Sequence, residues 1–426
     1  MITAEHPIPW YQLLLQKRML VVLLLGFASG LPLALTATTL QAWFTVEKVD
    51  IVTIGFLALV GQPYVYKFLW APFVDKVEPR FLGRRRGWML GSQIILVFLL
   101  IFISFFSPAI SPMTIGIIAV SIAFMSATQD IVIDAYRTEI LAPEQRGTGA
   151  AMAVAGYRTA IIVSSGLALV LAHHIGFQKV YLLMALVMCI GIVATLWAKE
   201  PKHYSNPPPN LVAACVEPLK EFLSRKNAII LLLLIIFYKL GDAFANSLTT
   251  TFLIRELGLS TEAVGYINKI IGLSATIIGA FMGGMLMARV GLYRSLLWFG
   301  FLQAITNFLF MILALIGPNL TMTVVAISAE NLAGGMGTAA FIALLMSLCH
   351  ERYTATQFAL LSALSAIGRV FVGPFAGYLV VWLGWAEFFF WTVIFALPGL
   401  IILYYLKNTI EASDQRIVPT IAEDLS

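Results

Sequence analysis

The run Gln129-Asp130-Ile131-Val132-Ile133-Asp134-Ala135-Tyr136-Arg137 sets two carboxylates four positions apart. On a helix that spacing puts both on one face, about 6 Å apart along the axis. Like charges that close compete for ionisation unless a cation comes between them, and a carboxyl that can load and release a proton is what a proton-coupled carrier requires. Asp130 and Asp134 are therefore the candidates for proton coupling, Asp130 first because Asp134 lies nearer the end of its apolar segment. The competing reading makes both of them fixed struts, Asp134 paired with Arg137 and Asp130 with Arg158.

Seven more ionisable residues share this setting: Lys67, Arg158, Lys239, Lys269 and Arg369, with the acids Asp242 and Glu330, all lie inside long apolar segments. Hydrophobic residues make up 60% of the chain and charged residues 12%, and the mean hydropathy is +0.90. Those values exclude a water-soluble protein of 426 residues and call for lipid as the solvent. An ionised group at the centre of a bilayer costs roughly 2.5 to 3.5 kcal/mol on insertion scales, so such residues face a bundle interior or a wet cavity. Together they imply a polar pathway, with Gln129, Tyr157, Arg158, Lys239, Asp242, Lys269, Glu330, Asn331 and Arg369 as candidates for holding cargo.

The elements that must position these groups are transmembrane helices. Runs such as 229–237 and 94–106 are apolar on every side, which rules out the alternation of a transmembrane barrel. Hydrophobic runs and their breaks predict twelve spans near 19–44, 51–73, 88–106, 113–136, 148–172, 180–197, 228–253, 262–288, 295–316, 321–348, 356–382 and 387–406. The expected organisation is a cytoplasmic N-terminus (1–18), a six-helix half (19–198), a polar linker (199–227) containing Pro207-Pro208-Pro209, a second six-helix half (228–406) and a cytoplasmic tail (407–426). With the N-terminus inside, Lys48, Lys179 and Arg255 are the basic residues left on outer loops, as the positive-inside rule asks. The first apolar segment is too long for a signal-peptide core and is expected to stay as helix one.

Gly156-Tyr157-Arg158 in the fifth span and Gly368-Arg369 in the eleventh form a weak internal repeat, and Asp130 and Glu330 are expected at corresponding depth in the fourth and tenth. In halves that rock about a central site, Arg158 and Arg369 could clamp anionic groups bidentately. The plainer reading is that each neutralises a carboxylate and ties helices together. Gly334-Gly335-Met336-Gly337 and the glycines of 279–284 suit close helix contact rather than phosphate binding. The three scattered cysteines have neither disulfide nor metal-ligand spacing, and His173 and His174 lack a nucleophile or ligand set beside them. No catalytic residue, metal or cofactor is expected. Gly83-Arg84-Arg85-Arg86-Gly87 is a short turn between spans rather than a nucleic-acid patch.

Lys67-Phe68-Leu69-Trp70-Ala71-Pro72 followed by Asp75 and then Gly83-Arg84-Arg85-Arg86 resembles the loop two-three signature of the major facilitator superfamily, with a weaker echo at Ala288-Arg289-Val290-Gly291 and Arg294. The resemblance implies that Asp75 and Arg84 latch the cytoplasmic gate. From about Gly26 to Leu406 the chain is similar to the AmpG family of bacterial inner-membrane muropeptide permeases. Four kinds of stretch carry the match: 29–35, the 67–75 and 84–88 stretches, 126–139 and 330–339. The resemblance implies proton-driven import of an anionic glycopeptide, the N-acetylglucosaminyl-1,6-anhydro-N-acetylmuramyl peptides, for wall recycling; the expected partners are that cargo, protons and the lipid bilayer, and the expected working unit is a monomer. Larger members carry hydrophobic segments beyond twelve, which this chain does not show. Eukaryotic acetyl-CoA transporters share similar Trp-Ala-Pro, Gly-Arg-Arg and Ala-Thr-Gln-Asp stretches, so a carrier of another organic anion is the alternative within the fold. A non-transporting membrane enzyme or sensor is the alternative outside it.

Overall fold

The computed structural model describes residues 15–49, 53, 57–201 and 210–415. Every regular element among them is helical, the one open-ended structure whose backbone groups are satisfied within lipid. Among the described residues, ten helices are long and apolar enough to cross a membrane: Lys17–Val46, Arg84–Ile103, Pro112–Ile140, Pro143–Ile175, Phe177–Trp197, Ala228–Ile254, Ile270–Val290, Leu292–Ile316, Leu320–Leu348 and Trp385–Tyr405. They answer to the first, the third to the tenth and the twelfth expected spans. The eleventh is the 30-residue helix Thr354–Leu383. Of the second, residues 51, 52 and 54–56 lie outside the described residues, and from Leu57 on it is broken into the short turns Leu57–Gly61, Gln62–Tyr66, Lys67–Leu69 and Ala71–Lys76, with Pro63 and Pro72 each in the first turn of its piece, where a missing N–H costs nothing.

Large apolar side chains such as Phe98, Leu186 and Trp298 are exposed on the outside of the bundle, where lipid covers them. Inside, one apolar cluster is drawn from the first six spans, with Trp43 and Tyr181 buried at its centre. Another is drawn from the last six, around Phe252, Phe310 and Phe389. A third joins the two sets, bringing Met19, Leu141 and Ala150 to Met336, Leu344 and Leu348. Glycine makes that contact possible: a Cβ on Gly284 of the eighth span would stand 2.7 Å from the Gly147 carbonyl oxygen of the fifth. Within the last six spans, a Cβ on Gly283 would stand 2.7 Å from Met336 Cα.

Two short helices were not foreseen. Leu211–Leu223 forms inside the expected linker, its start capped by the Asn210 side chain, which accepts from Ala213 N at 2.7 Å. Lys407–Gln415 lies in the expected polar tail and buries Ile410 fully.

Candidate functional site

Charge concentrates at two levels of the bundle. At the end carrying most of the basic residues, Arg85 opens the third span and is completely buried. Its guanidinium reaches Asp75 Oδ1 at 2.9 Å, and its Nε lies 3.1 and 3.0 Å from the two oxygens of Glu139, with its Nη2 also against Glu139. Asp75, in turn, accepts from the backbone N–H of Ala355 (3.3 Å) and Thr356 (2.8 Å) and from the Thr356 hydroxyl (2.8 Å). A carboxylate at the end of the second span thus caps the start of the eleventh, where a helix presents unpaired N–H groups and a positive dipole end. Arg84, the gating candidate, reaches Glu139 at 3.5 Å instead of Asp75. A run of three arginines does not reveal which side chain turns inward, and here it is Arg85. Glu200 holds the same turn from the far side, accepting from Arg85 N at 2.7 Å and Arg86 N at 2.9 Å.

Next to this latch begins a cavity of about 890 Å³, at the upper end of what encloses a drug-sized ligand. Its walls include Asp130, Asp134, Tyr157 and Arg158 from the first six spans and Lys239, Asp242, Glu330 and Asn331 from the last six. Arg137 and Phe358 lie at its floor, the guanidinium 5.5 Å from the ring centroid.

The carboxylates in this cavity are held in two ways. Asp134 is bound by cations, Lys67 at 3.4 Å and Arg137 at 2.8 Å, so the strut geometry expected for it is present. Asp242 lies 3.3 Å from Lys239 and accepts from the Gln303 amide, while Lys239 also reaches Thr338 at 3.4 Å. Asp130 accepts instead from the Ser29 hydroxyl at 2.5 Å. Glu330 accepts from two amides, Asn246 at 2.8 Å and Asn331 at 3.0 Å. A hydroxyl can donate to a carboxylate or accept from a carboxylic acid, whereas an ammonium or guanidinium only donates.

Two sequence expectations change. Gln129 is fully buried and is not part of the cavity wall: its amide donates to the Ala28 carbonyl at 3.0 Å, tying the fourth span to the first. Glu330 does not stand level with Asp130. The fourth and tenth spans are both 29 residues long, and their C-terminal ends share an apolar cluster through Leu141 and Leu348. Asp130 is ten positions from Ile140 and Glu330 eighteen from Leu348, two turns farther from that end. The side chains of Lys269 and Arg369 lie outside the described residues.

Sequence reading passed over Ser29, Asn246, Arg85 and Glu139 as partners. Ser29 and Glu139 both fall inside the stretches that carried the family resemblance, but no spacing rule links them to residues in other spans. Among the described residues no group of three His, Cys, Asp or Glu side chains is placed to hold a metal ion. Cys349, buried just past the tenth span, has its thiol pushed well above the ordinary value by burial, which makes it a poor nucleophile.

Comparison with known proteins fits this geometry. The family model of the Major Facilitator Superfamily matches residues 22–275 and 231–420. The anhydromuropeptide permease of Escherichia coli strain K12 is 53% identical over 397 residues, covering 93% of this chain and 81% of that protein. A putative transporter AmpG 4 of Rickettsia felis is 33% identical, covering 92% of this chain and 97% of that protein. Among solved structures, the proton:xylose symporter XylE matches with a TM-score of 0.70 at 12% identity, over 92% of this chain and 95% of that one. A Major Facilitator Superfamily model spanning both sets of helices, and relatives aligned over nearly the whole chain, leave one assignment: the protein is a member of the Major Facilitator Superfamily and, within it, of the AmpG family of permeases.

Proposed function

We propose that the protein imports anhydromuropeptides across the bacterial inner membrane, driven by protons, with both termini in the cytoplasm. The observation that carries the reading is the 53% identity to a protein named anhydromuropeptide permease. The cavity supports it: about 890 Å³, with cations and acids on both walls, suits a bulky polar cargo bearing carboxylates and many hydroxyls.

In this reading the halves 19–198 and 228–406 rock about the cavity, and the linker 199–227 joins them on the cytoplasmic side. The latch of Asp75, Arg85, Glu139 and Thr356 closes that side, so the cavity faces the periplasm and awaits cargo. Arg158 and Tyr157 from one wall, and Lys239 and Asp242 from the other, bind the cargo, and Lys269 and Arg369 are assigned to the same task. Asp130 couples the cycle to protons. Its Ser29 partner serves it in both protonation states, so it can exchange a proton without losing its hydrogen bond. Asp134, clasped by Lys67 and Arg137, shapes the floor instead. One chain contains the whole pathway, so the working unit is a monomer.

The test is uptake of radiolabelled anhydromuropeptide by proteoliposomes, with and without an inward proton gradient, using acetyl-CoA and a free amino sugar as competitors. Gradient-stimulated accumulation blocked by unlabelled muropeptide alone is the expected result. Competition by acetyl-CoA would assign the protein to another organic anion.

A further inference from the structure

We infer that Glu330 is a second proton-binding group of the transport cycle, set in the cavity wall two helical turns, about 12 Å, nearer the outer end than Asp130. The inference rests on the proton-coupled reading above and adds to it a second site at a different depth.

Three observations carry it. First, Glu330 is 9% exposed, lines the cavity, and has both oxygens engaged by amides, which leaves little open to a cargo hydroxyl and yet allows a proton in from the cavity. Second, the two amides are not alike. Asn331 is fixed as a donor chiefly because its amide also donates to the Ile327 carbonyl at 2.9 Å, with the Thr276 hydroxyl shared between its Oδ1 and the Gly272 carbonyl, each at 3.0 Å. Asn246 lines the cavity and is free of those ties, so it can turn its amide and offer Oδ1 to a neutral Glu330. One amide therefore holds the carboxyl in place while the other follows its protonation state. Third, the arrangement repeats what is seen at Asp130 in different residues. Each wall has one carboxylate bound by a lysine, Asp134 by Lys67 and Asp242 by Lys239, and one bound by groups that carry no charge.

The charged groups facing Glu330 are Lys239 and Asp242 from the seventh span and Arg158 from the fifth; Thr276 of the eighth reaches it through Asn331. Lys269 sits on the adjoining segment Ile267–Gly272, its side chain outside the described residues. Asp242 and Lys239 form a pair of no net charge, and Arg158 adds a cation that favours the carboxylate once the proton leaves. A proton entering from the outer side meets Glu330 before Asp130.

The experiment measures protons moved per cargo molecule. Proteoliposomes are brought to the cargo gradient that just halts net flux of anhydromuropeptide, at a series of imposed pH differences. For Glu330→Gln the slope of log cargo gradient against pH difference is expected to fall by one relative to wild type. That is about tenfold less accumulation for each pH unit imposed, with exchange of cargo across the membrane retained. An unchanged slope overturns the inference, and so does loss of exchange together with net uptake, which would make Glu330 a cargo or structural residue. A wild type that shows no proton-driven muropeptide accumulation overturns the proposed function instead. If Glu330→Gln does not fold, the wild type decides: dicyclohexylcarbodiimide, which adds to neutral carboxyls in apolar surroundings, is expected to label Glu330 at low pH and spare it at high pH. Peptide mapping that finds Glu330 unlabelled at every pH at which the protein stays folded overturns the inference.

Discussion

The latch and the cavity are built from the same residue types and put them to opposite uses. In the latch every charge meets an opposite charge or a helix end, and the groups are packed away: Asp75 and Arg85 are fully buried. In the cavity, Asp130 and Glu330 meet a hydroxyl and two amides. A carboxylate locked to a guanidinium is a fastener, since removing either partner strands the other in a low-dielectric setting. A carboxyl bound to a group that can both donate and accept is able to change state. The kind of partner, more than burial or depth, separates the carboxylates held as fixed charges from those proposed to change protonation state.

The sharpest way to break the comparison is at Arg85. Arg85→Ala leaves Asp75 buried without its cation and leaves the partly buried Glu139 only its longer contact to Arg84, a loss of about 3–5 kcal/mol for a broken buried pair. The expected result is a large drop in the thermal unfolding temperature of the detergent-purified protein. Arg85→Lys keeps a charge but loses the fork that reaches both acids, and is expected to recover part of that loss. If Arg85→Ala unfolds at the wild-type temperature, the latch is not a fastener.

Asp130→Asn comes next. Its side chain keeps a hydrogen bond to Ser29 but cannot cycle a charge, so gradient-driven accumulation is expected to fall by at least about tenfold while cargo exchange stays measurable. Asp134→Asn, in contrast, is expected to weaken the floor of the cavity and the cargo affinity without changing the dependence on the proton gradient. Swapped outcomes for the two aspartates would reverse the roles assigned from their partners.

The helices were largely legible in the sequence, because in lipid a span must be long, apolar and hydrogen-bonded within itself. The second span shows where that reading fails: Pro63 and Pro72 divide an apolar run into short turns, and hydropathy takes no account of a break. The helix Leu211–Leu223 escaped notice because prolines precede it and charges punctuate it, although Asn210 is an ordinary N-cap. At the site, residue type alone singled out Asp130, Asp134, Asp242 and Glu330, since a charge in an apolar span is conspicuous. Their partners were not legible. Ser29 is 101 positions from Asp130 and Asn246 is 84 from Glu330, and no local periodicity connects residues on different helices. Gln129 shows the same limit: it adjoins Asp130 in the chain, but its amide turns to the Ala28 carbonyl.

The smallest expected effect lies where the linker helix meets the latch. Glu221 accepts from Arg225 at 2.7 Å and from the Gln357 amide at 2.7 Å, while Gln357 also donates to the Pro218 carbonyl at 3.1 Å, so the helix Leu211–Leu223 is fixed to the start of the eleventh span. Burial works to raise the Glu221 carboxyl, but the hydrogen bonds from Arg225 and Gln357 outweigh it and hold the group below the ordinary carboxylate value. A depressed carboxylate contributes stability that is present above its unfolded value of about 4.3 and is lost as the pH falls through the lower folded value. The linker helix is therefore expected to stay docked at neutral pH and to loosen only in acid, below the ordinary range for glutamate. Glu221→Gln should remove that acid sensitivity at a cost of about 1 kcal/mol or less, because the site is partly exposed and its ion pair is screened. Amide hydrogen exchange of residues 211–223 measures both effects. Protection that falls with acid equally in wild type and variant would show that Glu221 is not the sensitive group and that another carboxylate of the helix, such as Glu217, which accepts from the Tyr353 hydroxyl, holds it to the start of the eleventh span.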